Sequence, residues 1–223
     1  MIPWILLDIA QIPDGGELRL KRRGEEYSIM SGTIELMNSR LSGSEKALAS
    51  LAIARLGGRP APRILIGGLG MGFTLRAALA DLGPQAQVAV AELVPAVVAW
   101  ARGPMAHLFA GCLDDPRVSV HETDVARLIA EPAGGWDAIL LDVDNGPDGL
   151  NRTANDGLYG FSGLKAARAA LRPGGVLAVW SAAPDRAFAR RLAEVGFKVE
   201  EVMVRAHRPG RGARHTIWLA TRP

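Results

Sequence analysis

Arg63-Ile-Leu-Ile-Gly-Gly-Leu-Gly-Met-Gly72 runs a short apolar stretch directly into glycines, and a segment with helical patterning, Phe73–Leu82, follows it. Strand, glycine turn and helix in that order define a βα unit whose turn closes on a ligand. Gly67, Gly68, Gly70 and Gly72 permit a tight turn and keep Cβ atoms out of the approach path. The amides at the helix N-terminus favour electron-rich groups. A glycine-rich turn on its own also serves as a plain connection. The strand before it and the helix after it give it the ligand-binding reading.

Downstream, predicted strands Gln87–Ala91, Val118–His121, Ala138–Leu141 and Val176–Trp180 alternate with predicted helices Pro95–Leu113 (broken at Gly103-Pro104), Val125–Ala130, Leu164–Leu171 and Asp185–Val195. That alternation predicts parallel strands joined by right-handed crossovers. The end of the pattern differs. Phe197–Arg205 and His215–Thr221 read as strands with only an Arg/Gly/Pro loop between them, which predicts a hairpin. A parallel βα array closing in an antiparallel hairpin resembles the class I methyltransferase sheet, an α/β Rossmann-like fold. A plain dinucleotide-binding domain would end in another helix.

Upstream, Trp4–Ile9, Glu17–Lys21, Glu26–Met30 and Thr33–Met37 read as short strands separated by Asp14-Gly-Gly16, Arg23-Gly24 and Ser31-Gly32. The expected organisation is a small β-hairpin module over residues 1–41 and a Rossmann-like domain over 42–223. Ser42-Gly-Ser-Glu45 predicts a capping box at the start of the first helix, and Leu48, Leu51, Ala52 and Leu56 share one face of it.

Acids stand at the predicted strand ends, where open α/β sheets bind ligands. Glu92 follows Gly72 by twenty positions; a carboxylate there accepts from both hydroxyls of a ribose, or caps the next helix. Asp124 closes the following strand, where an acid meets the amino group of an adenine or caps the helix from Val125. Asp142 ends the next strand, with Asp144, Asn145 and Asp148 on the loop beyond. Carboxylates there hold a cationic group or take a proton from an amine. The loop is not a calcium loop: Pro147 stands where glycine is needed, and Thr153 where the twelfth-position glutamate belongs. It continues to Tyr159, a length that suits a mobile cover.

The 223 residues, 48% apolar and 22% charged, suit one ordinary globular domain. A single cysteine, Cys112, allows no internal disulfide and fits a reducing compartment. With no basic leader before Asp8 and no apolar run of about 20 residues, the expected location is the cytoplasm, with no membrane contact. The formal charge of +3 is small, and much of it lies in Arg205–His215, a solvated loop or a site for an anionic group. No aromatic residues interleave with those arginines, so nucleic acid is not an expected partner. His107, His121, His207 and His215 show no metal-ligand spacing, so no metal is expected. No Gly-x-Ser-x-Gly elbow occurs either.

Taken together, Leu36-Met-Asn-Ser-Arg-Leu-Ser-Gly-Ser-Glu45, the glycine turn, Glu92, Asp124, Asp142, Leu158-Tyr159 and Leu171-Arg-Pro-Gly-Gly175 make the chain similar to the spermidine synthase (polyamine aminopropyltransferase) family. The resemblance implies a homodimeric transferase that uses S-adenosylmethionine or its decarboxylated form and passes a group to a small acceptor, an amine. It implies that Glu92 binds ribose, that Asp124 binds adenine, and that Asp142, Asp144 and Asn145 carry the chemistry. Glu45, Asp148 and Tyr159 then face the acceptor. Gly70 stands where the family has an acid, which predicts weaker discrimination against intact S-adenosylmethionine. Asn145 falls on the position of the family's catalytic base, and Gly43-Ser44 precede Glu45 where the family has an aromatic and a polar residue. Two further readings share the fold: a methyltransferase using intact S-adenosylmethionine, and a non-catalytic adenosyl-binding protein.

Overall fold

Strand-forming alternation in the first forty residues produces an antiparallel meander of four strands, β1 (Ile5–Gln11), β2 (Glu17–Arg23), β3 (Glu26–Ser31) and β4 (Ile34–Asn38), paired in that order. A computed structural model of the chain describes residues 2–13, 15–131, 135–143, 157–207 and 212–223. On β2 and β3 the period of two sends Leu18, Leu20, Tyr27 and Ile29 inward, while Arg19 and Lys21 remain half-exposed. These inward residues join one apolar cluster with Leu48, Met71, Val97 and Phe109 of the following segment. On β1, Ile5, Leu6, Leu7 and Ile9 are exposed.

The helix α1 (Gly43–Ala54) leads into β5 (Arg63–Gly67), and the alternation then runs α2 (Phe73–Asp81), β6 (Gln87–Glu92), α3 (Pro95–Arg102), α4 (Ala106–Phe109), β7 (Val118–Glu122), α5 (Val125–Ala130), β8 (Trp136–Leu141), α6 (Phe161–Ala170), β9 (Leu171–Ser181), α7 (Arg186–Glu194), β10 (Lys198–Arg205) and β11 (Arg214–Thr221). The seven-stranded sheet has the order β10-β11-β9-β8-β5-β6-β7. Strands β5 to β9 are parallel; β11 lies antiparallel to both β9 and β10, which is the expected terminal hairpin. Helices cover both faces, so the central strands alternate between two cores. Ile64 and Ile66 of β5 face one cluster, and Leu65 faces the other.

The helical stretch from Pro95 breaks at Gly103-Pro104 as predicted, giving α3, α4 and a 3-10 turn over Cys112–Asp114, because Pro104 has no N–H to continue the ladder and Gly103 donates to the Ala99 carbonyl at 2.9 Å. One boundary differs from those predicted. Strand β9 begins five residues early, at Leu171, which pairs with Trp136 across an irregularity in register.

At the start of β8 the carboxylate of Asp137 is 2% exposed. It accepts from Arg59 at 2.6 Å, from Arg172 at 3.0 Å and from the Arg63 amide at 2.8 Å. This cluster ties β5, β8 and β9 together at the amino end of the parallel strands, opposite their carboxyl ends.

Candidate active site

The carboxyl ends of β5, β6 and β8 and the loop after β7 converge on a cavity of about 310 Å³. Gly68, Gly70, Glu92, Asp124 and Asp142 contribute to one wall, and Ile12, Leu18, Ile29, Leu36 and Met37 of the meander form an apolar wall facing it. Among the described lining residues every titratable side chain is an acid. Such a site favours a cation joined to an apolar or aromatic body.

The four glycines divide the work. At Gly68 (φ +90°) a Cβ would strike the Asp142 carbonyl oxygen, so this residue lets β5 and β8 approach beside the cavity. Gly70 (φ +50°) lies under Met37, whose Cε would be 2.5 Å from an added Cβ. Gly67 and Gly72 stand behind the lining. A Cβ at Gly72 would meet the Phe109 ring at 2.6 Å, and one at Gly67 would meet Val125 at 3.0 Å. Their requirement comes from packing.

Glu92 is 8% exposed. Its oxygens accept from the Leu69 amide and the Val94 amide, each at 2.9 Å. Burial pushes its pKa up, and these amides oppose that rise. The carboxylate therefore clips the glycine turn to the end of β6. Asp124 caps α5 by accepting from the Ala126 amide at 2.8 Å, as its helix-capping alternative requires. It also borders the cavity.

Asp142 lies just past β8. Burial, and after it the charge of nearby Glu45, raises its pKa to about 7, opposed by a hydrogen bond from Thr74 Oγ1 at 2.5 Å. Glu45 is itself pushed up by burial. The predicted capping box does not form: Ser42 makes no side-chain cap bond, and Glu45 accepts from the Ser44 hydroxyl at 2.8 Å. The first-turn amide of Gly43 instead donates to the Ala206 carbonyl at 2.9 Å. The terminal hairpin thus takes up one amide of the first turn, while the Glu45 carboxyl group, outside any capping box, lies near enough to Asp142 for its charge to act there.

Tyr159, expected at the acceptor, is buried with its ring edge-on to Phe188 at 5.7 Å between centroids, while Gly157 and Leu158 border the cavity. Asp144, Asn145 and Asp148 lie outside the described residues. Sequence reasoning missed Thr74, Ser44 and His215 as partners of the acids. Thr74 alone had a local signal, as a hydroxyl in the first turn after the glycines. Among the described residues no three His, Cys, Asp or Glu side chains gather as a metal site would require.

The fold and this site define a class I methyltransferase-type domain with an added amino-terminal sheet. Human methyltransferase-like protein 13, in complex with SAH, superposes with a TM-score of 0.59 at 21% identity, covering 79% of this chain and 80% of that one. The likeness that includes the small sheet is spermidine-synthase-like. Spermidine synthase from Thermotoga maritima gives a TM-score of 0.77 at 19% identity over 98% of this chain and 73% of that one. A spermidine synthase in complex with the transition-state analogue AdoDATO gives 0.76. In sequence the chain is 36% identical over 126 residues to the polyamine aminopropyltransferase of Mycobacterium tuberculosis, and 34% identical over 127 residues to polyamine aminopropyltransferase 1 of Streptomyces coelicolor. These matches span 54% and 56% of this chain but only 23% of each relative. The chain matches no protein-family profile.

Proposed function

We propose that the protein transfers an aminopropyl or related group from an S-adenosylmethionine-type sulfonium to a small amine. The observation that carries this reading is Asp142. It is a carboxyl group raised to about 7, set where the strand ends converge and where the described lining residues include acids but no cation. In the transfer, the amine nitrogen bonds to the carbon beside sulfur, the carbon–sulfur bond breaks, and its electron pair returns to sulfur to leave a neutral thioether nucleoside. The nitrogen loses one proton, and a base with a pKa near the working pH is suited to take it. Glu92 would hold the ribose and Asp124 the adenine amino group. Most of the rate would come from orienting two bound reactants.

The acidic lining supports the decarboxylated donor. The carboxylate of intact S-adenosylmethionine would enter a cavity bordered by Asp142 with no cation among the described lining residues. Against this stands the vacant acid position at Gly70, which Met37 covers. Replacing Gly70 with aspartate would strain a left-handed backbone and displace Met37, so that exchange is a poor test of donor choice.

Within this reading the protein is a cytoplasmic homodimer. Among the described residues no helix is long and apolar enough to cross a membrane, and exposed Ile5, Leu6, Leu7 and Ile9 offer apolar surface for self-association.

Calorimetric titration with decarboxylated S-adenosylmethionine, the intact form and methylthioadenosine, followed by product analysis with a diamine, tests the proposal. Binding of the decarboxylated donor about tenfold or more tighter than the intact one, about 1.4 kcal/mol, together with an aminopropylated product, is the expected result. Tighter binding of the intact donor with methyl transfer would overturn it.

A further inference from the structure

The acids of the site connect to a buried hydroxyl and an imidazole that the transfer reading does not use. Ser44 is fully buried. Its Oγ donates to Glu45 Oε2 at 2.8 Å and lies 2.9 Å from Nδ1 of His215 on β11. His215 is half-buried, with its ring edge-on to Trp180 at 4.8 Å between centroids. On the other side, Thr74 Oγ1 is 2.5 Å from Asp142 Oδ2 and 3.4 Å from the Glu45 carbonyl oxygen.

Main-chain packing fixes this chain of contacts. A Cβ at Gly43 would lie 2.7 Å from the Arg205 carbonyl oxygen and 2.9 Å from that of His207. Only glycine lets the hairpin press so closely on the start of α1, and that closeness brings His215 to Ser44.

A serine hydroxyl has a single proton, so the contacts allow two arrangements. In one, His215 Nδ1–H donates to Ser44 and Ser44 donates to ionised Glu45. In the other, protonated Glu45 donates to Ser44 and Ser44 donates to an unprotonated Nδ1. Reversing every donor moves one proton from the carboxyl group to the ring. It creates an imidazolium, which releases a proton from Nε2; before the next transfer the ring returns to its Nε2–H tautomer by exchange with solvent and the Ser44 hydroxyl turns back toward Nδ1.

We infer that Ser44 and His215 form a proton exit from the Glu45 carboxyl group, emptying it after each transfer. This inference rests on the proposed transfer reaction. Glu45 and Lys46 of α1 and Asp142 after β8 are the charged groups nearest the acid end, and Arg214 of β11 and Arg205 of β10 flank His215 in the hairpin, while Lys198, Glu200 and Glu201 of β10 and Arg76 and Asp81 of α2 stand farther along their elements. The Arg205 guanidinium is committed to the Gly212 carbonyl at 3.0 Å. Trp180 faces the ring from β9 and Thr74 faces Asp142 from α2, and neither carries charge. Burial lowers the pKa of His215, so the ring passes a proton onward rather than keeping it.

The test compares wild type with Ser44→Ala, His215→Gln and Ser44→Thr, the last restoring the hydroxyl. Ring nitrogen and side-chain carboxyl NMR are followed across pH, alongside the pH profile of kcat. The expected result is that Ser44→Ala and His215→Gln each shift the carboxyl titration by about half a pH unit or more. Each should lower kcat about tenfold with little change in donor KM, and Ser44→Thr should recover most of both. Carboxyl titrations and kcat profiles identical to wild type in both variants would overturn the relay. The two readings fail separately. Coupled titrations in a protein that transfers nothing would sink the transferase reading and the exit with it, leaving a bare hydrogen-bonded chain. Transfer activity with uncoupled titrations would sink the exit alone.

Discussion

Asp137 and Asp142 bracket the same strand, β8, and meet opposite treatment. Asp137, at the amino end, is met by two guanidinium groups and a backbone amide within 3.0 Å. Asp142, at the carboxyl end, receives one threonine hydroxyl and has a second carboxylate nearby, and its pKa rises to about 7. A buried charge with partners on several elements holds the sheet together. A buried carboxyl group with too few partners is destabilised as an anion, and so is ready to bind a proton or a cation. One strand thus separates an acid whose charge is met on several sides from an acid whose charge is left poorly met.

The sharpest way to break this contrast is Asp137→Ala. It leaves Arg59, Arg172 and the Arg63 amide without their common acceptor, and because both guanidinium groups reach solvent the expected loss is about 2–3 kcal/mol in urea unfolding. A loss below about 1 kcal/mol would mean that the cluster is not holding the strands. The second is Asp142→Asn. With a folded pKa of about 7 and an ordinary value of 3.8, the native state keeps a proton that the unfolded chain releases. Stability from this group is therefore lost as pH rises from about 4 to about 7. Asp142→Asn should remove that slope and raise stability by about 1–3 kcal/mol at pH 8, while turnover falls about 100-fold or more. Thermal unfolding at pH 5 and pH 8 reads the first effect and a product assay reads the second; wild type with a flat profile would refute the argument. The smallest effect belongs to Glu92, an acid whose burial is offset by amides. Glu92→Ala should weaken methylthioadenosine binding by about 1–2 kcal/mol, and unchanged calorimetry would remove the ribose assignment.

Periodicity made the frame legible. The run from Arg63 to Gly72, the alternation after it and the helix-free gap before His215 placed the parallel sheet and its terminal hairpin. Local chemistry also marked Glu92, Asp124 and Asp142 at strand ends. Two kinds of feature left no such mark. Leu171-Arg-Pro-Gly-Gly175 has turn composition yet enters β9, because Leu171 finds a partner in Trp136 across the sheet. Ser42 and Glu45 have the spacing of a capping box, but Ser42 makes no side-chain cap bond and Glu45 takes the Ser44 hydroxyl. The contact between Ser44 and His215 spans 171 positions; no local pattern reports on it. Tyr159, picked by likeness to a motif, has its ring buried against Phe188, a packing contact that the motif does not report.

The position of β11 has a consequence for the birth of the molecule. This strand lies inside the sheet between β9 and β10, and Arg222 beyond it exchanges backbone hydrogen bonds with Gly174 and Gly175. A ribosome adding about 5–20 residues per second needs roughly 2–8 s to travel from the end of β9 to the end of β11. Throughout that interval the apolar run Val176–Trp180 has one open edge, the kind of template on which nascent chains aggregate. The yield of folded protein in a cell should therefore respond to translation speed and chaperone supply over the last forty codons of this stretch more than to anything upstream.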